Sequence, residues 1–163
     1  MPDLRSKISM SDEEVDEFTR QRHTATVCSV NYDGTIHAVA MWYGFADGRI
    51  AFHTKAKSQK AVNLGRDPGM TFLVEDGASY DQLRGVELVG QAVVVDDPGQ
   101  RLELARSVLQ RYFDPGPPLT QAMLEGTLRG RVVLALEVRR VVSWDHRKLS
   151  QAASGGQERK KER

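Results

Sequence analysis

Cysteine is almost missing from this sequence. Cys28 is the one copy among 163 residues, so no intrachain disulfide can form. Such cysteine usage points to a reducing, cytoplasmic setting. The four histidines, His23, His37, His53 and His146, lie far apart and show no ligand spacing, which speaks against a Cys/His zinc site and leaves no metal expected. Long apolar runs are also lacking. No window approaches 18 consecutive apolar residues, and the charged N-terminal residues are not followed by an apolar stretch, so neither a membrane span nor a signal peptide is expected. Net charge is nearly absent as well. The total is +1, and the last six residues hold four positive and two negative charges, which leaves the remainder at −1. That balance gives no electrostatic reason to expect nucleic acid. No internal repeat stands out, and no Ser-His-Asp or Cys-His constellation marks a hydrolase.

What is present fits a single folded domain over residues 1–149 and a polar, disordered tail over 150–163. Ser11-Asp12-Glu13-Glu14 is a capping box that opens a helix running to about Arg22. Thr24–Val30 is rich in β-branched residues and reads as a strand. Asn31-Tyr32-Asp33-Gly34 turns it into a return strand, Thr35–Phe45, in which Ile36, Ala38, Ala40 and Trp42 alternate with His37, Val39, Met41 and Tyr43. Ala46-Asp47-Gly48 turns again into Arg49–Thr54, so an antiparallel meander of three strands is expected. A helix over Ser58–Arg66 stops at Asp67-Pro68. Strands follow at Met70–Glu75 and Arg84–Val95, the second with Gly90 at an expected bulge. Asp97-Pro98 opens a helix whose stripe Leu102, Ala105, Leu109 and Phe113 is expected to be buried. Pro115-Gly116-Pro117-Pro118 breaks the chain, a short helix follows over Leu119–Glu125, and Arg131–Trp144 is the last strand. Strands that meet through turns disfavour a parallel sheet. The expected fold is mainly β: a six-stranded antiparallel closed or split β-barrel with flanking helices.

The most informative segment runs from Thr54 to Pro68. It leaves a strand and enters a helix, and helix N-termini present free N–H groups and the positive end of the dipole to anions. Thr54 and Ser58 supply hydroxyls. Lys55, Lys57 and Lys60 lie close together with Arg66 nearby, and no acid occurs between His53 and Arg66. A solvated helix face usually mixes signs, so a run of this kind is either a basic surface loop or a phosphate cradle.

This stretch, with Thr at the strand end, Ser-x-Lys at the helix start, then Asn63-Leu64 and Asp67-Pro68, resembles the phosphate-binding segment of the pyridoxamine phosphate oxidase-like superfamily of split barrels. Ala38–Tyr43 is similar to the strand whose backbone lies against the flavin ring there. Gly85–Ala92 resembles the long strand with an internal Gly-x-Ala. Ser143-Trp144-Asp145-His146-Arg147-Lys148-Leu149 resembles the barrel end of the deazaflavin-dependent branch. The likeness spans roughly residues 11–149 and departs at Ala40-Met41-Trp42, where many relatives carry proline before an aromatic pair.

The resemblance implies a flavin-type split barrel that forms a homodimer with cofactor sites at the subunit interface. It implies coenzyme F-420 as cofactor, with FMN as the alternative and haem also used within the superfamily. The implied contacts are Val39, Ala40 and Met41 along the ring, Thr54, Lys55, Lys57, Ser58, Lys60 and Asn63 around the phosphate, and Trp144 as part of the stacking surface with Trp42 and Tyr43. The implied activity is hydride transfer from reduced F-420 to a small organic acceptor. An FMN-dependent oxidase or reductase is the neighbouring reading, and a non-catalytic flavin, deazaflavin or haem binder the third. His53 and His146 are the histidines available to a haem iron, and no catalytic side chain is named.

Overall fold

The computed structural model describes residues 4–21, 23–113, 116 and 118–150. The chain runs α1 (Leu4–Ile8), α2 (Asp12–Arg20), β1 (Ala25–Val30), β2 (Ile36–Met41), β3 (Gly44–Ala46), β4 (Arg49–Lys55), α3 (Gln59–Arg66), β5 (Gly69–Asp76), β6 (Arg84–Val94), α4 (Pro98–Tyr112), α5 (Gln121–Leu128) and β7 (Arg131–Asp145). The expected tail beyond Ser150 and most of the Pro-Gly-Pro break lie outside the described residues. No helix among the described residues is long and apolar enough to cross a membrane.

Local chemistry sets the element ends. Ser11 accepts from the Glu14 N–H while the Glu14 carboxylate accepts from the Ser11 N–H, so the capping box forms at α2. Asp97 caps α4 by accepting from the Gln100 N–H, with proline in the first turn. The α4 stripe is shifted from expectation. Leu104, Ala105, Val108 and Tyr112 are buried, whereas Phe113 is 51% exposed. The helix packs mainly on β3, and that contact selects a face one step round from the one periodicity favoured.

The seven strands form one antiparallel sheet in the order β2-β1-β5-β6-β7-β4-β3. The expected return strand Thr35–Phe45 is therefore two strands, and the three-strand meander does not form. β2 pairs only with β1, whereas β3 pairs with β4. Strand count and connectivity together dictate closure. Laid flat, seven strands at about 4.8 Å would hold β2 and β3 roughly 29 Å apart. The link between them is only Trp42 and Tyr43, and three Cα steps span at most about 11 Å. The sheet must curl until its edges meet, leaving a split between β2 and β3. Alternation within the segment survives this correction: Ile36, Ala38, Ala40 and Trp42 are exposed, and Tyr43 on the other face is fully buried.

The β6–β7 pair carries the bend. Their register shifts between Val89 and Gly90. A Cβ at Gly90 would lie 2.0 Å from the Glu137 carbonyl oxygen, so only glycine permits this approach. One core fills the barrel, built around Val27, Tyr43, Phe52, Phe72, Val86 and Leu134. A second lies where α4 and α5 cover the outer face, around Leu104, Val108, Leu124, Val133 and Ala135. β7 is consequently buried on both faces over Val133–Leu136.

Candidate cofactor site

The β4–α3 junction is a concentration of hydrogen-bond donors. Thr54, the next-to-last residue of β4, has its side chain turned inward and is 4% exposed. Ser58 occupies the N-cap position of α3 with an extended backbone, yet its hydroxyl makes no capping bond and lies 3.1 Å from the Thr54 hydroxyl. Helix N-termini leave their first N–H groups without intrahelical partners, and here no side chain among the described residues takes them. Lys55 and Lys57 are exposed at the edge of the junction.

Lys60 is different. It is only 9% exposed, and its ammonium donates to the Thr54 hydroxyl at 3.2 Å. No carboxylate pairs with it among the described residues, and burial alone pushes its pKa below the usual lysine range. An isolated buried ammonium is costly unless something neutralises it. Hydroxyls, free N–H groups and an uncompensated ammonium gathered at one junction make a cradle for an anion, and a phosphate group fits that donor set.

Two other expected contacts are elsewhere. Asn63 has no exposed surface. Its amide donates to the Ser29 hydroxyl at 3.1 Å and the Asn31 side chain at 2.9 Å, and its oxygen accepts from Gln59. It ties α3 to β1 and does not reach the cradle. Arg66 sits at the far end of α3, donates to the Val30 carbonyl and lies over the Tyr32 ring.

Beside the junction, a cavity of about 320 Å³ opens at the split of the barrel. Its walls are Thr24, Ala40, Met41, Trp42, His53, Val108 and Arg131. Ala40 and Met41, from the strand expected along a cofactor ring, thus line a cavity whose other wall holds His53 and Arg131, and Arg131 pairs with Lys55 of the junction. The outer edge of β2 carries no neighbouring strand among the described residues, so its backbone polar groups are available to a ligand. Trp42 is 46% exposed and stacks on Tyr112 with ring centroids 4.7 Å apart. A larger hollow of about 760 Å³ lies between α4 and α5, walled by Leu109, Phe113, Leu119 and Met123, and carries none of these hydroxyls or lysines.

Of the aromatics expected to stack on a ring, Tyr43 is fully buried. Its hydroxyl donates to the Thr19 carbonyl at 2.7 Å, and burial pushes its pKa up to about 12. Trp144 lies against Gly85, where a Cβ would come within 2.3 Å of its indole. It borders a different cavity, with Ile8, Met10 and His146. Lys55 pairs with Arg131 at the start of β7, whereas Trp144 pairs with Gly85 near its end. Thirteen strand steps separate Arg131 from Trp144, a path of roughly 40 Å, and the two line different cavities, so one chain does not bring Trp144 to its own groove.

Two further residues line the groove: Arg131, which the sequence did not single out, and His53, which it offered only to a haem iron. Arg131 joins through its pairing with Lys55, a register invisible in a single sequence. His53 precedes Thr54 on β4, and burial, with Arg131 next, pushes its pKa down to about 4. Its imidazole is therefore neutral near pH 7, and neither ring nitrogen has a hydrogen-bond partner among the described residues.

The same architecture appears in proteins of known structure. The conserved hypothetical protein Rv2991 from Mycobacterium tuberculosis is 43% identical over 91% of this chain and 92% of its own, with a TM-score of 0.84. A putative 5-nitroimidazole antibiotic resistance protein from Bacteroides thetaiotaomicron is 13% identical over 83% of this chain and 84% of its own, with a TM-score of 0.67. A structure described as an F420 reductase is 22% identical over 77% of this chain and 94% of its own, with a TM-score of 0.57. The last two likenesses are of fold. A search of the curated proteins returned no match. The sequence model described as pyridoxamine 5'-phosphate oxidase matches residues 11–145, which hold the split barrel, the donor-rich junction and the groove beside it. With that match added to the curled sheet and its opening beside α3, this chain belongs to the pyridoxamine 5'-phosphate oxidase family of split barrels.

Proposed function

We propose that this protein binds the deazaflavin coenzyme F-420 and is an oxidoreductase that passes a hydride from its reduced form to a small organic acceptor. The observation that carries the reading is Lys60: a nearly buried ammonium with no counter-charge among the described residues, at a helix N-terminus whose cap hydroxyl makes no capping bond. When bound, the cofactor supplies the hydride from its ring carbon. This chain's residues bind and orient. Lys60, Ser58 and the first N–H groups of α3 hold the phosphate, while Thr54 fixes the Lys60 and Ser58 side chains. Lys55, Lys57 and Arg131 meet the further negative charges of a polyanionic tail. Val39, Ala40 and Met41 present an open strand edge to the ring. The fold neighbour described as an F420 reductase supports the choice of cofactor.

Assembly as a homodimer is part of the proposal. Past Ala135, β7 loses β4 and keeps only β6 as a neighbour, and Val138, Val141 and Val142 are 43%, 46% and 37% exposed there. A second copy would cover these valines, and it offers the one route by which a Trp144 side chain could approach a groove that its own chain cannot supply.

The deciding experiment is a paired titration of the apo-protein with F-420 and FMN at low and high salt. The reading expects tighter binding of F-420, with a preference that shrinks as salt screens the tail contacts over about 10 Å at 0.1 M. Equal affinities at low salt, or an FMN preference indifferent to salt, would make the protein an FMN enzyme. Tight F-420 binding without turnover of any acceptor would make it a carrier.

A further inference from the structure

A buried histidine in a folded protein normally has a partner for its N–H. His53 has none. Both ring nitrogens are enclosed and unpartnered, and the ring stands in the wall of the cavity at the barrel split, one residue before Thr54 of the donor-rich junction. Either tautomer leaves one buried N–H unbonded. Burial and the neighbouring Arg131 and Arg101 hold the ring neutral, so it cannot serve as a further phosphate cation. It offers instead one uncharged donor and one uncharged acceptor. The half-exposed Trp42 and the Arg131 side chain share that wall with it.

We propose that His53 positions the ring of the bound cofactor: its imidazole N–H donates to a carbonyl or ring-nitrogen acceptor of a planar heterocycle lying between β2 and the β4–α3 junction. This rests on the cofactor-binding reading above. It divides recognition between two places. The junction around Lys60 takes the anion, and His53 takes the uncharged polar edge of the ring. An imidazole kept without a partner is a cost in the free protein that binding offsets, as at other sites where polar groups await a ligand.

The test uses the full chain, the variants His53→Phe and His53→Gln, and three probes: F-420, FMN and glycerol 3-phosphate, which carries the phosphate without a ring. His53→Phe should weaken both ring compounds about tenfold or more, because a hydrogen bond to a buried donor is lost. It should leave glycerol 3-phosphate unchanged. The free variant should melt at the same temperature as the parent or higher, since an apolar ring replaces an unsatisfied one. His53→Gln, which keeps a donor, should retain most of the affinity. In the parent protein, FMN should produce a new slowly exchanging imidazole proton in the NMR spectrum, a readout that needs no variant to fold. Unaltered affinity for the ring compounds in His53→Phe, or no new imidazole proton on saturation, would overturn the role of His53 and leave the cradle standing. Equal losses for FMN and glycerol 3-phosphate would overturn it too, as general damage. Failure of the parent protein to bind either ring compound while still binding glycerol 3-phosphate would sink the cofactor reading itself.

Discussion

Replacing Lys60 by methionine separates a phosphate ligand from a structural prop. Methionine keeps the unbranched stem that fills the space beneath α3 and removes the charge. In the free protein two effects oppose each other. The variant loses one hydrogen bond to Thr54, 3.2 Å long, worth about 0.5–1.5 kcal/mol. It also loses the burden of an ammonium that is 9% exposed and has no carboxylate partner. Their sum should keep the stability of the free protein within about 1 kcal/mol of the parent. With ligand the effects no longer cancel. A charge-assisted bond to phosphate contributes roughly 1.5–3 kcal/mol, so the dissociation constant should rise about 10- to 100-fold. Ligand at a hundred times its dissociation constant stabilises the parent by about 2.7 kcal/mol, and the same concentration should stabilise the variant by far less. Calorimetric titration with FMN and F-420, with melting curves at fixed ligand, reads both quantities. An unchanged dissociation constant would refute the cradle. A loss of several kcal/mol in the free variant would show that Lys60 is there to support α3.

Three further outcomes follow from the same geometry. Tyr43→Phe should cost about 0.5–1.5 kcal/mol in urea unfolding, for it deletes the 2.7 Å bond from a buried hydroxyl to the Thr19 carbonyl. Gly85→Ala should displace the Trp144 indole, which would otherwise lie 2.3 Å from the new Cβ, and should cost about 1–3 kcal/mol as overpacking; tryptophan fluorescence in a Trp42→Phe background reports the displacement. A Val141→Glu substitution places a charge on the exposed part of β7 and should convert a dimer to a monomer by light scattering, whereas a parent protein that is itself monomeric at micromolar concentration would refute the proposed assembly.

The sequence carried its local chemistry well and its long-range geometry poorly. Ser11 and Glu14, Asp97 and Pro98, and the bulge at Gly90 each depend on residues near one another or on a residue type with one use, and each appears where expected. The failure at Thr35–Phe45 has a definite cause. Alternation continues unbroken from Ile36 to Tyr43, because one face stays inward throughout, yet the pairing partner changes at Trp42. Periodicity reports a side chain's face and carries no information about its strand neighbour. The same limit applies at the site. Lys60 and Ser58 were legible as members of a donor run without acids. Asn63 shared that run but turns toward Ser29 and Asn31, which depends on β1 lying beneath α3. Arg131 enters the groove only through its register with Lys55, 76 positions earlier in the chain.

The neutral imidazole of His53 also makes a prediction about acid. Burial lowers its pKa from 6.5 to about 4, so the unfolded chain binds a proton there before the folded protein does. The stability linked to this group is therefore fully present above about pH 6.5 and is lost as pH falls toward 4. Between pH 7 and 5, a shift of that size corresponds to a loss of about 2 kcal/mol, and residual contact of the groove with solvent reduces it to about 1–2 kcal/mol. His23 is depressed in the same direction, again chiefly by burial, so the parent's total slope belongs to both residues and the informative quantity is a difference. The lowered carboxylates, among them Asp76 and Asp145 held by Arg84 and Arg147, act in a more acidic range. Urea unfolding of the parent and of His53→Phe at half-unit steps from pH 7.5 to 5 should show the variant losing less stability, by about 1–2 kcal/mol at the acid end. Saturating glycerol 3-phosphate should not abolish that difference, because the anion is held at the β4–α3 junction and not by the imidazole. Parallel curves for the two proteins would mean that His53 accepts a proton in the folded state as easily as in the unfolded chain, and a ring so readily charged could not be the uncharged donor that the groove requires.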